Sequence, residues 1–211
     1  RALDTGRRDR TDRSDKPGND VVVCIDALTG KTLWQRVFEG QGETLLGSGK
    51  GGGHGTMCIH DGKAYAFGMA GWIYCLDAET GKTIWSGHKQ PSAHSPNGTP
   101  FVAEGVLVYR NGQTLIGYDA ETGEKLWTHG GVVKGTRSSS CTRVWPHGDR
   151  EYFVHENECL DPKTGKQLWS IGPIEGGNTT AIYKDFLVCR EADKESDTVG
   201  PRRYKISPEG A

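Results

Sequence analysis

Five polar residues stand in loops at corresponding points of a repeating sequence, where side-chain chemistry could be placed. They are His54, Asn97, Ser140, Cys141 and Asn178. Histidine could bind a metal or act as a general base near neutral pH, and cysteine could act as a nucleophile beside a base. A histidine in a glycine-rich loop is more often a turn or surface residue, and nothing in the sequence places a base beside Cys141. These residues are therefore candidates for ligand binding, and no catalytic residue is predicted.

The sequence lacks the motifs and patterns that are typical of several other kinds of site. The run GSGKGGGHG at residues 47–55 does not match the G-x-x-x-x-G-K-[ST] pattern of phosphate-binding loops. The 6 cysteines form no C-x-x-C pair, so no metal site is predicted. A net charge of −1 argues against nucleic acid as a partner. No apolar run approaches the ~20 residues that span a membrane, and residues 1–20 are too charged for a signal peptide.

The elements that must position these loops come from a motif that occurs four times. Each copy begins with an Asp, continues through Thr-Gly and ends in a Trp. The pairs are Asp26 and Trp34, Asp77 and Trp85, Asp119 and Trp127, and Asp161 and Trp169. A spacing of about 40 to 50 residues between copies is typical of four-stranded propeller blades.

Each unit predicts the same order of short strands. A Thr precedes the first strand, a turn such as HDG at 60–62 leads into the second, and the third ends at the repeated Asp. The Asp-x-x-Thr-Gly turn follows, because its Gly suits positive φ and its Asp can accept backbone hydrogen bonds. The fourth strand then contains the Trp. The Thr residues so aligned are Thr56, Thr99, Thr142 and Thr179. The sequence thus predicts an all-β fold of four-stranded antiparallel blades.

The repeated Trp is predicted to be a packing residue. One blade cannot bury both of its faces alone, and a Trp at a fixed position covers ~200 Å² of the neighbouring blade. The position two residues before each Asp holds a small residue, which favours close packing and free thiols over a disulfide or metal role. The residues at this position are Cys24, Cys75, Gly117 and Cys159.

The pattern [LIV]-D-[AP]-x-T-G-x-x-[LI]-W at 25–34, 76–85 and 160–169, with Tyr118 in the first place of the third copy, resembles the tryptophan-docking repeat of quinoprotein-like, or PQQ-like, β-propellers. The resemblance covers roughly residues 20 to 210. It implies a propeller of seven or eight blades, of which about four are present, and a periplasmic or extracellular location. The remaining blades of a longer chain, or a second copy, would then be partners, and other proteins could bind as well.

The repeat also predicts the division of the chain. Residues 1–20 form a charged loop or flexible segment, and residues 21–211 form the propeller. The predicted units are a partial first blade at 21–36, three blades at about 54–86, 97–128 and 140–170, and a partial last blade at 177–211. The chain is therefore expected to be a segment of a longer polypeptide.

Two functions follow from the resemblance. The first is a non-catalytic scaffold, protein-interaction or ligand-binding module without a cofactor. The second is a fragment of a PQQ- and calcium-dependent alcohol or sugar dehydrogenase. The adjacent Cys-Cys pair of those enzymes is missing, and the repeated Asp residues are already assigned to turns. The sequence therefore favours the scaffold over the enzyme.

Overall fold

The computed structural model describes residues 18–42, 56–68, 71–87, 99–111, 114–130, 142–155, 157–171, 180–193 and 198–211. These residues form β-strands and turns, and they include no helix that could cross a membrane. The strands are β1 (Asp20–Ile25), β2 (Thr32–Phe38), β3 (Cys58–His60), β4 (Lys63–Phe67), β5 (Ile73–Asp77), β6 (Thr83–Gly87), β7 (Phe101–Ala103), β8 (Val106–Asn111), β9 (Thr114–Asp119), β10 (Lys125–Gly130), β11 (Thr142–His147), β12 (Arg150–His155), β13 (Glu158–Leu160), β14 (Gln167–Ser170), β15 (Ala181–Tyr183), β16 (Phe186–Asp193) and β17 (Thr198–Lys205).

The strands form five sheets in chain order. Sheet 1 contains β1 and β2, sheet 2 contains β3 to β6, sheet 3 contains β7 to β10, sheet 4 contains β11 to β14, and sheet 5 contains β15 to β17. Every strand pairs antiparallel with the strand that precedes or follows it in the chain. The predicted all-β architecture of four-stranded antiparallel sheets is confirmed.

The Asp-x-x-Thr-Gly turns have the same geometry in sheets 1 to 4. In sheet 1, Asp26 Oδ1 accepts hydrogen bonds from the Thr29 hydroxyl at 2.6 Å and from the backbone N–H groups of Thr29 and Leu28 at 2.7 and 3.1 Å. Gly30 follows with φ at 69°, in the left-handed region that favours glycine. These bonds, the Thr29 hydroxyl foremost, lower the pKa of Asp26.

One residue from each strand lies in a row across the middle of each sheet, which we call the central row. The rows are Cys24 and Trp34 in sheet 1, Cys58, Tyr65, Cys75 and Trp85 in sheet 2, Phe101, Val108, Gly117 and Trp127 in sheet 3, Arg143, Val154, Cys159 and Trp169 in sheet 4, and Ala181, Val188 and Arg203 in sheet 5. Because side chains alternate along a strand, a whole row projects from one face of its sheet.

The central rows correct one feature of the sequence alignment. Thr56 stands two residues before the central-row residue Cys58, whereas Thr142 stands one residue before Arg143. The prediction that Thr142 occupies the same position as Thr56 is therefore wrong by one residue. The β11–β12 hairpin extends farther beyond its central row, to His147, than the β3–β4 hairpin does.

The hydrophobic core lies between consecutive sheets. Between sheets 2 and 3, Tyr65 and Cys75 pack with Leu107 and Tyr118. Each of these side chains is at most 1% exposed. Similar clusters join sheets 1 and 2, sheets 3 and 4, and sheets 4 and 5. The faces that consecutive sheets turn toward each other are therefore buried, as stacked blades require.

Candidate functional site

The predicted ligand-binding residues lie outside the described part of the chain. His54, Asn97, Ser140, Cys141 and Asn178 all fall in the intervals between described ranges. Their role in ligand binding stays a prediction. The sequence predicts that these five residues converge at the axial mouth of the propeller, where the loops before the innermost strands meet. The residues that border the intervals are described, and they show what the chain places near that predicted mouth.

The repeated Trp side chains connect each sheet to the next. Trp34 donates its indole N–H to the Ala78 carbonyl at 3.0 Å, and Trp127 donates to the Pro162 carbonyl at 2.7 Å. Trp85 donates to Ala120 at 3.1 Å, and Trp169 donates to Ser207 at 2.6 Å. In sheets 1 to 3, the acceptor is the residue that directly follows the Asp of the next repeat.

Glycine makes room for the indoles of Trp34, Trp85 and Trp127. A Cβ placed on Gly81, Gly123 or Gly165, in the turn of the next sheet, would lie 2.5 to 2.7 Å from an indole carbon of the preceding Trp. A Cβ on Gly117 would lie 2.2 Å from the indole of Trp127, its neighbour in the central row. The glycine of the Thr-Gly turn and the small residue two positions before the Asp are therefore explained by the same cause. Both leave space for the Trp indole.

A buried polar pair borders the predicted mouth in sheet 4. The Thr142 hydroxyl lies 2.7 Å from His155 Nδ1, and both side chains are buried. Burial lowers the pKa of His155 to about 3, and the nearby Arg110 and His129 add to the effect. The imidazole is therefore neutral at physiological pH and accepts or donates hydrogen bonds without carrying charge.

A second pair lies beside it and joins sheets 3 and 4. His129 Nε2 is 2.8 Å from Glu158 Oε2, and each of the two side chains is 15% exposed. His129 is close to the end of β10, and Glu158 is the first residue of β13. Together with Thr142, His155 and Arg110 they form the polar cluster of sheets 3 and 4. The cluster places several polar side chains near the intervals that contain the predicted ligand-binding residues.

Sequence reasoning did not identify this cluster. His129 and His155 stand at positions where the repeats differ, and no spacing motif connects them. The only signal in the sequence is that the two histidines depart from an otherwise regular repeat. The contact between His129 and Glu158 depends on how sheets 3 and 4 pack, which the sequence does not show.

A groove of about 440 Å³ opens between the first strands of sheets 4 and 5. Its lining is mainly apolar, with Val144, Pro146 and Ile182, and Arg143 and Lys184 add positive charge. Thr180, which also lines it, is 1% exposed, and its hydroxyl has no hydrogen-bond partner among the described residues. The groove therefore presents apolar side chains flanked by two cationic ones.

At the β11–β12 turn of sheet 4, a network of one Arg and two carboxylates connects this sheet to sheet 3. Arg150 donates two hydrogen bonds at 2.9 Å to the two carboxylate oxygens of Glu104, and a third at 3.0 Å to Asp161. The Arg150 hydrogen bonds lower the pKa of Glu104. Because a bidentate Arg–carboxylate pair has a fixed geometry, this contact helps to set the position of sheet 4 against sheet 3.

The described residues do not form a metal site. No group of three or more His, Cys, Asp or Glu side chains in the described ranges is placed to hold a metal ion. In the turns of sheets 1 to 4, each repeated Asp already accepts bonds from the Thr hydroxyl and backbone of its own turn. The four repeated Asp carboxylates are therefore engaged in their own turns.

Consecutive four-stranded antiparallel sheets, each connected to the next through a repeated Trp, define the class of this protein as a β-propeller of the quinoprotein type. The PQQ_2 family model, described as outer membrane protein assembly factor BamB, matches residues 18–184. The chain belongs to this family.

Two solved structures share the fold. BamB from Moraxella catarrhalis aligns with a TM-score of 0.56 and 17% identity, over 81% of this chain and 55% of that one. The quinohemoprotein alcohol dehydrogenase ADHIIG from Pseudomonas putida HK5 aligns with a TM-score of 0.52 and 15% identity, over 89% of this chain and 36% of that one. At these identities the likeness shows the fold alone.

Curated relatives include quinone-dependent enzymes. The quinohemoprotein alcohol dehydrogenase of Comamonas testosteroni is 28% identical over 171 residues, which cover 74% of this chain and 24% of the relative. Quinohemoprotein alcohol dehydrogenase ADH IIB of Pseudomonas putida is 31% identical over 118 residues, which cover 50% of this chain and 17% of the relative. The chain thus spans about a quarter or less of these two relatives.

Proposed function

We propose that this chain is a non-catalytic arc of a PQQ-like β-propeller that acts as a scaffold, or as a protein-interaction and ligand-binding module, in a larger extracytoplasmic protein. The observation that supports the proposal is the set of hydrogen bonds made by the repeated Asp and Trp side chains. Each Asp is held in its own turn, and each Trp donates to the neighbouring sheet. The residues that recur in every unit thus maintain architecture and do no chemistry.

The Trp residues are proposed to dock the blades together. Their indole N–H groups bond to the next turn, and the turn glycines Gly81, Gly123 and Gly165 lie against their rings. A buried Trp that also satisfies its N–H stabilises a contact more than its area alone provides. A stiff stack of blades is the property that a scaffold needs.

The competing function is a fragment of a PQQ- and calcium-dependent alcohol or sugar dehydrogenase, and two of the curated relatives are quinohemoprotein alcohol dehydrogenases. Ultraviolet–visible titration of the protein with PQQ and calcium, together with a dye-linked alcohol oxidation assay, separates the two. The scaffold proposal expects neither a bound quinone spectrum nor turnover. A bound quinone together with turnover of alcohol would overturn it.

Further blades of the same polypeptide are proposed as the partner of sheet 1. The face of sheet 1 that points away from sheet 2 exposes four apolar side chains. They are Val21 at 49%, Val37 at 42%, Ile25 at 57% and Leu33 at 63%. Light scattering tests the alternative of a second copy. A discrete dimer that Ile25→Asp dissolves would contradict the proposal, whereas the absence of a discrete dimer is expected.

The extracytoplasmic location is proposed from the family description, which names an outer membrane protein assembly factor. Fractionation of source cells with an antibody to the chain is the direct measurement. Recovery of the protein in the periplasmic or secreted fraction is expected, and recovery in the cytosol would overturn this part of the proposal.

A further inference from the structure

The first strand of sheet 4 continues farther past its central row than the first strands of the other described sheets. It runs from the central-row residue Arg143 to His147. The first strands of sheets 2, 3 and 5 end two residues after their central rows, at His60, Ala103 and Tyr183. The added length brings His147 to the level of the β15–β16 turn of sheet 5.

At that level, His147 meets a carboxylate of the neighbouring sheet. His147 Nδ1 lies 2.8 Å from Asp185 Oδ1, and the two side chains are 37% and 43% exposed. Trp145 projects from the same face of β11, with its ring centroid 5.0 Å from that of His147, and it packs with Leu187 and Ile206. The polar contact therefore borders the hydrophobic core that joins sheets 4 and 5.

The Asp185 side chain is a departure from the repeat. The Asp185 carbonyl accepts a backbone N–H bond at 2.8 Å from the segment that follows the third strand of its sheet. Gly62 and Gly105 accept the equivalent bond in sheets 2 and 3. Glycine offers no side chain to a neighbouring sheet, whereas the same turn position in sheet 5 supplies a carboxylate.

The cation of this contact also differs from those at the two preceding junctions. Sheets 2 and 3 are connected by Lys63 with Glu121, and sheets 3 and 4 by Arg150 with Glu104. Lysine and arginine keep their charge at physiological pH, whereas a histidine changes its charge between about pH 5 and pH 8. The contact between sheets 4 and 5 is therefore the one of these three whose cation titrates in that range.

The carboxylates near His147 stay charged over the same range. The hydrogen bond with His147, with a smaller effect of Lys205, lowers the pKa of Asp185. A hydrogen bond with Ser207, with a smaller effect of His147, lowers the pKa of Glu209. The other charged side chains on the elements around His147 are Asp149, Arg150 and Lys184, and Arg150 is already bonded to Glu104 and Asp161.

A second histidine pair between sheets has different surroundings. His129 Nε2 lies 2.8 Å from Glu158 Oε2, in the polar cluster that already contains Arg110. A proton on His129 would add positive charge to a cluster with one carboxylate, whereas a proton on His147 is added near Asp185 and Glu209. The pair in the polar cluster therefore serves as a control for the contact between sheets 4 and 5.

We propose that the contact between His147 and Asp185 is a pH-dependent latch, which holds sheets 4 and 5 together more strongly when His147 carries a proton. A neutral imidazole can still donate the hydrogen bond, and protonation adds the attraction between two full charges. This added attraction is complete when His147 is protonated and is lost as the pH rises and the proton leaves.

The latch also has a lower limit of pH. Because the pKa of Asp185 is lowered in the folded protein, its contribution is present above the ordinary value of 3.8 and is lost as the pH falls through the lower folded value. The latch is therefore strongest in mildly acidic solution. This inference goes beyond the scaffold proposal, since it concerns how two sheets of the chain respond to pH.

NMR of the imidazole C–H groups, followed in the full chain from about pH 8 to about pH 5, tests the latch. His147→Gln identifies the His147 resonance. Asp185→Asn is expected to make His147 bind its proton about threefold more weakly, which corresponds to the loss of one exposed ion pair. Glu158→Gln, the control, should leave the titration of His147 unchanged. Circular dichroism checks that each variant folds.

Urea unfolding gives a second and independent measurement. The difference in midpoint between the unmodified chain and Asp185→Asn should be larger at about pH 6 than at about pH 8. The difference for Glu104→Gln should be the same at both values, because Arg150 keeps its charge. Either of two results would overturn the latch: an unchanged proton affinity of His147 in Asp185→Asn, or a midpoint difference for Asp185→Asn that does not vary with pH.

Discussion

The residue that precedes the repeated Asp has two different environments in this molecule. Leu76, Tyr118 and Leu160 occupy that position in sheets 2 to 4, and each is 0% exposed. Ile25 occupies it in sheet 1 and is 57% exposed. The Asp-x-x-Thr-Gly turn that follows is the same in all four sheets, so the difference comes from the neighbouring sheet. Burial in this fold is a property of the junction between sheets and not of the strand.

The largest effect on stability is expected when the side chain at this position is truncated to Ala in each of the two environments. Leu160→Ala is expected to lower the free energy of unfolding by about 2 to 5 kcal/mol, because it leaves a cavity between sheets 3 and 4. Ile25→Ala is expected to cost less than about 1 kcal/mol, because the side chain is already largely in water. Urea unfolding followed by Trp fluorescence measures both. Equal losses would show that the face of sheet 1 is covered in solution.

A smaller effect is expected at the turn glycines, which isolate the Trp contact. Gly30 and Gly165 hold the same turn position with φ of 69° and 66°. A Cβ on Gly30 meets nothing within 4 Å, whereas a Cβ on Gly165 would lie 2.5 Å from the Trp127 ring. Both Ala variants incur the cost of a left-handed backbone, about 1 to 2 kcal/mol. Gly165→Ala should add about 1 to 3 kcal/mol for overpacking.

The difference between the two Ala variants is the quantity to measure. Thermal or urea unfolding gives it directly, and the common backbone cost cancels. If Gly165→Ala and Gly30→Ala lose the same stability, the Trp127 indole does not dock on the turn of sheet 4, and the proposed role of the repeated Trp fails.

Much of the fold could be predicted because its causes are local. The turn at Asp26 needs only an Asp, a Thr and a Gly within five residues, and its hydrogen bonds recur in all four copies. The pairing of each Trp with a small residue is also visible in sequence once the copies are aligned. These features repeat because each unit solves the same packing problem.

The remaining features depend on how sheets meet, and they could not be predicted. The predicted position of Thr142 was wrong by one residue, because the strand pairing that sets the central row cannot be seen when the alignment rests on a Thr. His129 meets Glu158 across two sheets, at positions where the repeats share no residue type. Arg203 stands where no repeat motif marks the position. In each case the missing information is the register between strands or the contact between sheets.

The third comparison concerns two ion pairs at successive junctions. Glu104 is paired with Arg150 between sheets 3 and 4, and Glu121 is paired with Lys63 between sheets 2 and 3. The Glu104 side chain is 13% exposed and that of Glu121 is 68% exposed. Glu104→Gln is expected to cost about 1 kcal/mol near neutral pH, after allowance for the solvent around Arg150. Glu121→Gln should leave the unfolding midpoint unchanged.

The stabilisation by Glu104 is expected to depend on pH in one direction only. The pKa of Glu104 is lowered in the folded protein, so the unfolded chain binds the proton more readily. The stabilisation by Glu104 is therefore complete above its ordinary pKa of 4.5 and is lost as the pH falls through the lower folded value. Urea midpoints measured from neutral pH to below 4.5 should converge for the unmodified chain and Glu104→Gln. A constant difference across that range would mean that the substitution acts through packing, and the junction of sheets 3 and 4 would then owe nothing to the charge of Glu104.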